Sequence, residues 1–162
     1  MQTILELGAA RVFYDGILVE PRLDLPEGLA VHRDGSVWCG EERGQIYRIE
    51  ADGSSIEQVS SSAGFSHEMA FDTEGNLYIA CYEPSQVLRV APDGTVVRLI
   101  RDEEAHLFCH PTNLAFRGNV LFTTNLGRWH ISVIDIEVEG LPLHGGYGEN
   151  DEAGLCEPIG SL

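Results

Sequence analysis

Four side chains stand where chemistry is possible: Glu27, His67, Glu68 and Asn113. Each belongs to a tripeptide that leads into an apolar run: Pro26-Glu27-Gly28, Ser66-His67-Glu68 and Pro111-Thr112-Asn113. Carboxylate and amide oxygens are the ligands a hard cation such as Ca²⁺ takes. A bound cation lowers the pKa of its water and stabilises a developing oxyanion, so a neighbouring His or Glu can act as general base. The set therefore divides into Glu27 and Asn113 as metal ligands and His67 and Glu68 as catalytic residues. Each also has a plainer reading. Glu27 before Gly28 can be a polar turn residue, His67 a loop histidine, and Asn113 an Asx-turn residue that satisfies its own backbone. Glu68 is the odd member, since the other two tripeptides end in Gly and Asn.

What brings these tripeptides together is a repeat. Leu29-Ala30-Val31-His32-Arg33-Asp34-Gly35-Ser36-Val37-Trp38-Cys39 is answered by Met69-Ala70-Phe71-Asp72-Thr73-Glu74-Gly75-Asn76-Leu77-Tyr78-Ile79, 40 residues on. Leu114-Ala115-Phe116-Arg117-Gly118-Asn119-Val120-Leu121-Phe122 follows the second copy by 45. An acidic residue and Gly between apolar runs is a strong hairpin signal. Turns at every ten residues or so leave no room for helices of ordinary length. A period of about 40–45 residues with about four strands per unit is that of a β-propeller blade. The expected fold class is all-β, propeller-type, with three four-stranded blades, a half or truncated ring. In such a ring the loops before the innermost strands meet at one mouth of the central channel, which would gather the four candidates at one point.

The expected blades span 26–59, 66–100 and 111–144 within a domain of residues 1–144. Strands are predicted near 29–32, 36–40, 45–50 and 56–59, then 69–72, 76–82, 86–91 and 95–100, then 114–117, 120–125 and 131–137. Arg11 to Tyr14 has strand composition and could complete a blade. The connection from Arg101 to Pro111 has room for one helical turn. Residues 145–162 are rich in Gly and acid and show no periodicity, so they read as a mobile tail. Alternation points Leu29 and Val31, Met69 and Phe71, and Leu114 and Phe116 into the core. The aromatics Trp38, Tyr47, Tyr78 and Phe122 read as packing between blades.

Composition narrows the partners. The 26 acidic residues against 10 basic ones give a formal net charge of −16, and every base is Arg. Such a surface repels phosphate backbones and anionic membranes, so neither nucleic acid nor membrane is an expected partner. Without Lys there is no Schiff-base chemistry. No run of about 18 apolar residues occurs, and Met1 to Gly8 lacks a basic segment followed by a long apolar one, so a cytoplasmic location is expected. The four cysteines, 39, 81, 109 and 156, show no metal-ligand spacing and are expected to be reduced thiols. Cys39 and Cys81 read as small core residues, while Cys109-His110 is a loop pair with some capacity for metal.

Leu25-Pro26-Glu27-Gly28, Phe71-Asp72-Thr73-Glu74-Gly75-Asn76-Leu77-Tyr78-Ile79-Ala80 and Pro111-Thr112-Asn113-Leu114-Ala115-Phe116-Arg117-Gly118 resemble segments of the SMP-30/gluconolactonase/LRE-like family. So does Ile134-Asp135-Ile136 followed by Gly140-Leu141-Pro142-Leu143. The resemblance runs from about residue 10 to 144. It implies a six-bladed propeller, a divalent cation, often Ca²⁺, in the channel, and hydrolysis of a lactone or related ester. In that family a first-blade Glu, middle-blade Asn residues and an Asp in a Pro-Asp-Gly loop hold the cation. Glu27 matches the first, the middle-blade Asn ligands have no match, and His67 falls where the Asp belongs. Asn113 matches a last-blade motif that is not a ligand in the family.

The leading expectation is a divalent-cation-dependent hydrolase of lactones or related esters, with Glu27 anchoring the cation and His67 or Glu68 activating water. The competing one is a catalytically silent, shortened propeller that binds a small molecule or acts as a scaffold. A homodimer is expected, since two copies of three blades give six and bury the bare end faces.

Overall fold

The computed structural model describes residues 8, 10–17, 20–61 and 64–142. The expected tail, 145–162, lies outside them. Among the described residues eleven strands form three antiparallel sheets in chain order. The first sheet is β1 (Pro26–Val31), β2 (Val37–Glu41), β3 (Gln45–Ile49) and β4 (Ile56–Ser61). The second is β5 (Ser66–Phe71), β6 (Leu77–Cys81), β7 (Gln86–Val90) and β8 (Val96–Arg101). The third, among the described residues, is β9 (Pro111–Arg117), β10 (Val120–Asn125) and β11 (Ile131–Asp135). Each sheet is an up-and-down meander whose first strand lies at one edge. Strand β1 runs beside β5, and β5 beside β9. Three meanders with neighbouring first strands are the arrangement of consecutive propeller blades, as the repeat requires.

Period-two alternation explains the packing. In β6 every residue is buried, because both faces of the second sheet are covered. Leu77, Ile79 and Cys81 join Ala30, Ile46, Met69 and Phe71 in the seam between sheets one and two. Tyr78 and Ala80 face the other way and join Val87, Leu114 and Leu121 in the seam between sheets two and three. The two seams echo one another. Trp38 meets Phe71 edge to face at 5.4 Å between ring centroids, and Tyr78 meets Phe116 in the same way at 5.2 Å.

The turns between strands are set by local hydrogen bonds. Gly35 and Gly75 occupy equivalent left-handed positions, φ 87° and 86°, which a side chain would strain. The backbone N–H groups of Ser36, Ser54 and Thr95 donate to Asp34, Asp52 and Asp93, each at 2.9 Å. Burial works against the charge on Asp34, but the Ser36 hydroxyl and N–H and the nearby His32 hold its carboxyl well below the usual range. Ser54 and Thr95 depress Asp52 and Asp93 in the same sense. In the second sheet the cap is deeper. Asp72 is fully buried. Its Oδ1 accepts from the N–H groups of Glu74 and Asn76, both at 2.9 Å. Its Oδ2 accepts from Asn76 Nδ2 at 2.8 Å and the Tyr78 hydroxyl at 3.1 Å. Burial first, and then the Asp72 charge, push the Tyr78 phenol up to about 12.

Four expectations are corrected here. Arg11 to Tyr14 is not a strand. Instead, Tyr14 with Leu23 covers the outer face of the first sheet over Cys39, Tyr47 and Ile49. Residues 102–110 form turns and bends with no helical turn, because Asp102 accepts from the N–H groups of Leu107 and Phe108 and closes the loop on itself. The buried residues of β1 are Gly28 and Ala30, while Leu29 and Val31 are 57% and 55% exposed. They lie on the face of the first sheet turned away from the second, where the described residues supply no adjoining sheet. Finally, the candidate tripeptides lie within the first strands, not in loops before them. A break in register separates Pro26 from Leu29 and Ser66 from Met69, so these residues form an irregular lead into each ladder.

The chain also ties itself across the far ends of the inner strands. Thr73 N–H donates to the Glu139 carbonyl at 2.8 Å, and Leu141 N–H to that of Phe71 at 2.8 Å. Asp72 and Gly140 form an isolated antiparallel bridge. This strap comes from the stretch Gly140-Leu141-Pro142 that the sequence marked only by resemblance.

Candidate functional site

The irregular starts of β1 and β5 press against one another. A Cβ placed on Gly28 would fall 1.6 Å from the His67 carbonyl oxygen and 2.6 Å from Glu68 Cα, so only glycine fits. That contact carries Glu27 across the seam to His67. Glu27 Oε2 lies 3.5 Å from His67 Nδ1, at ion-pair distance. Both side chains are partly exposed. Replacing Gly28 with Ala forces the two backbones apart. The expected cost is about 1–3 kcal/mol of stability, the range for inserting a methyl into a filled contact. A thermal-melt comparison of Gly28→Ala with the parent measures it, and an unchanged midpoint would contradict the close approach.

Glu68 follows a different course. Its Oε1 accepts the N–H of Met69 at 3.2 Å. Glu68 is also part of the wall of a groove of about 900 Å³ that runs along β1, β5 and β9, floored by Leu29, Val31, Ala70 and Ala115. The strap residues Glu139 to Pro142 border its other end. The structure thus brings Glu27 and His67 into contact, with Glu68 adjacent in the chain and facing the groove. Asn113 is one blade further on, exposed on β9 and opposite Thr124 in register.

The sequence did not foretell the rings around His67. Its imidazole stacks on Phe65 at 5.3 Å and leans on Tyr82 at 5.4 Å. Tyr82 in turn stacks on His110 at 4.3 Å with planes 22° apart. His110 is fixed there, its Nδ1 3.0 Å from the Tyr82 carbonyl and its N–H donating to the Ser85 hydroxyl. The Cys109-His110 pair is therefore divided. His110 supports the ring stack, and Cys109 is buried beside Gly127. Tyr82 and His110 lie 28 residues apart on different blades, so no local spacing announced them. Burial lifts the Cys39 thiol to about 11 and the Cys81 thiol to about 12, helped at Cys39 by the Glu41 charge, and both are buried, as their reading as small core residues expects. Among the described residues, no three His, Cys, Asp or Glu side chains come close enough together to hold a metal ion.

The fold is that of a segment of a β-propeller, with the Glu27–His67 pair next in the chain to Glu68, which lines its inner groove. The family model described as strictosidine synthase-like, N-terminal, matches residues 17–49, the stretch that contains Leu25-Pro26-Glu27-Gly28. Among solved structures, the fold is similar to virginiamycin B lyase from Staphylococcus aureus, with a TM-score of 0.55 and 19% identity over 75% of this chain and 43% of that one. It is similar to a luciferin-regenerating enzyme, with a TM-score of 0.57 and 18% identity over 74% of this chain and 48% of that one. A streptogramin B lyase gives 0.50 and 16% over 69% and 41%. The chain spans less than half the length of each of these proteins. No curated protein sequence matches it. These likenesses support the resemblance to the SMP-30/gluconolactonase/LRE-like propellers. At such identities the structural ones speak for the fold alone. Among the described residues no helix is long and apolar enough to cross a membrane.

Proposed function

We propose that the mouth of the groove is a hydrolytic site for lactones or related esters, with His67 as its base. The observation that carries this reading is the Glu27–His67 contact at 3.5 Å across the blade seam. A carboxylate at Nδ1 keeps the proton on that nitrogen and leaves Nε2 to take a proton from water. The activated water attacks the ester carbonyl, the ester C–O bond breaks as the tetrahedral intermediate collapses, and the proton held on Nε2 passes to the leaving alkoxide. Glu68, facing the groove, is placed to accept hydrogen bonds from the hydroxyls of a polyol lactone. Glu27 is the carboxylate and Asn113 the amide this chain offers to a divalent cation, Ca²⁺ foremost. These two fall short of the six to eight oxygens that Ca²⁺ takes. The test is acid release from a δ-lactone followed by pH-stat, with and without chelator. Release that His67→Gln removes supports the reading, and release no faster than buffer rejects it. The silent binding module is the second reading; among the described residues Glu27 pairs with His67 and belongs to no three-ligand group.

The same reading completes the ring with a second copy of the chain. Leu29 and Val31 on one end face are half exposed or more, as are Ile131 and Val133 at 64% and 54% on the third sheet. Large apolar side chains on an outer face mark an interaction surface. Light scattering during gel filtration is expected to give twice the chain mass at micromolar concentration. A stable monomer under those conditions rejects the dimer and leaves the fold untouched.

A further inference from the structure

A second cleft opens at the opposite end of the seam between the first two blades, among the turns that follow β1 and β5. Its volume is about 380 Å³, within the range of small-ligand pockets. His32, Trp38, Phe71, Leu77, Val90 and Pro92 line it. The internal repeat shows that this end is not built for turn stability alone. The position that holds the buried turn cap Asp72 in the second blade holds His32 in the first, 40 residues earlier. The capping work has moved to Asp34, which takes the Ser36 N–H and hydroxyl at 2.9 and 2.6 Å. That leaves the His32 ring, partly exposed, turned edge-on to Phe71 at 4.9 Å between centroids.

The polar atoms of the cleft are already oriented. Trp38 Nε1 donates to Ser36 Oγ at 3.0 Å, and Ser36 Oγ donates to Asp34, so the indole is keyed in place. His32 Nδ1 lies 3.0 Å from Asp34 Oδ1, at ion-pair distance though off the axis of a hydrogen bond. The carboxylate favours the proton on Nδ1, which makes Nε2 the acceptor. Nε2 sits 3.6 Å from the position a Gly75 Cβ would take, at the wall of the cleft. The Arg33 guanidinium donates to the Thr73 carbonyl across the seam and ties the rim together.

We infer that this cleft binds a small flat aromatic molecule carrying one hydrogen-bond donor, a phenol or an N–H heteroaromatic. The ring packs among Trp38, Phe71 and Leu77, and its O–H or N–H donates to His32 Nε2. The site is independent of the hydrolytic one, and its test reads no turnover. The probe is p-cresol, with toluene as the analogue that lacks the hydroxyl. Trp129→Phe leaves Trp38 as the single indole, since the chain has two tryptophans. In that background p-cresol is expected to change Trp38 emission saturably, with affinity about tenfold above that for toluene, the value of one hydrogen bond. His32→Phe keeps a ring against Phe71 and removes the acceptor. It is expected to remove the preference for p-cresol. Equal titrations with p-cresol and toluene, no saturable change with p-cresol, or a preference that survives in His32→Phe would each overturn the inference. The p-cresol and toluene comparison needs no site variant, so it decides even if His32→Phe folds poorly.

Discussion

Replacing Asp72 with Ala is expected to remove about 3–4 kcal/mol of stability, enough to lower the melting midpoint by roughly 10 °C. The reason lies in what the carboxylate satisfies. Four donors converge on it: two backbone N–H groups, the Asn76 amide and the Tyr78 hydroxyl. Asp72, Asn76 and Tyr78 are buried, so water cannot replace the carboxylate at the Asn76 and Tyr78 donors, and the Glu74 N–H alone is part-buried. Each unmatched buried donor costs its desolvation, about 1–3 kcal/mol, and partial relaxation keeps the total below the sum. Asp72→Asn is expected to fall between parent and Ala. Its one oxygen can still take the backbone donors, but its amide faces those of Asn76 and Tyr78. Differential scanning calorimetry of the three proteins checks the order, and an Ala variant that melts like the parent would show that the turn holds without the cap.

The second large effect concerns turnover. His67→Gln keeps a polar side chain of similar reach but cannot take a proton from water. General-base catalysis contributes about 10²–10⁴-fold, and a loss of that size in kcat/KM on a lactone is expected. The thermal midpoint is expected to move little, because His67 is partly exposed and its neighbours Phe65 and Tyr82 also contact one another. The separation matters. A variant that loses activity together with its fold would point to the ring stack, whereas one that melts normally points to the imidazole as base. Activity left unchanged in a folded His67→Gln would remove His67 from the chemistry.

Much of the fold is legible because its punctuation is chemical. Asp34-Gly35, Glu74-Gly75 and Asp93-Gly94 mark turns, and the structure places glycine in the left-handed region at all three. Strands β6 and β7 lie within a residue of where the apolar runs put them. Sidedness is harder to read. Leu29 and Met69 hold the same position in their repeats, yet one is exposed and the other buried. Alternation tells which residues share a face, and the neighbour that covers the face decides its burial. Arg11 to Tyr14 shows the limit of composition: without a ladder partner only Tyr14 packs on the sheet, and Val12 and Phe13 stay exposed. At the site, Glu27 and His67 were legible because the repeat fixes both at the start of an inner strand. Their contact depends on Gly28, whose missing side chain lets the backbones meet. Tyr82 and His110 were not legible as partners, because one precedes and the other follows a whole pair of strands. The division between His32 and Asp72 was present in the aligned repeat, but its meaning needed the cleft.

Whether Glu27 and His67 act as one unit across the first seam is decided by a double-mutant cycle on lactone kcat/KM, using parent, Glu27→Gln, His67→Gln and the double variant. If the carboxylate works by holding the imidazole proton, removing Glu27 after His67 is already gone should change little. The double variant is expected to fall no further than His67→Gln alone. Losses that multiply, or a Glu27→Gln variant as active as the parent, would contradict it.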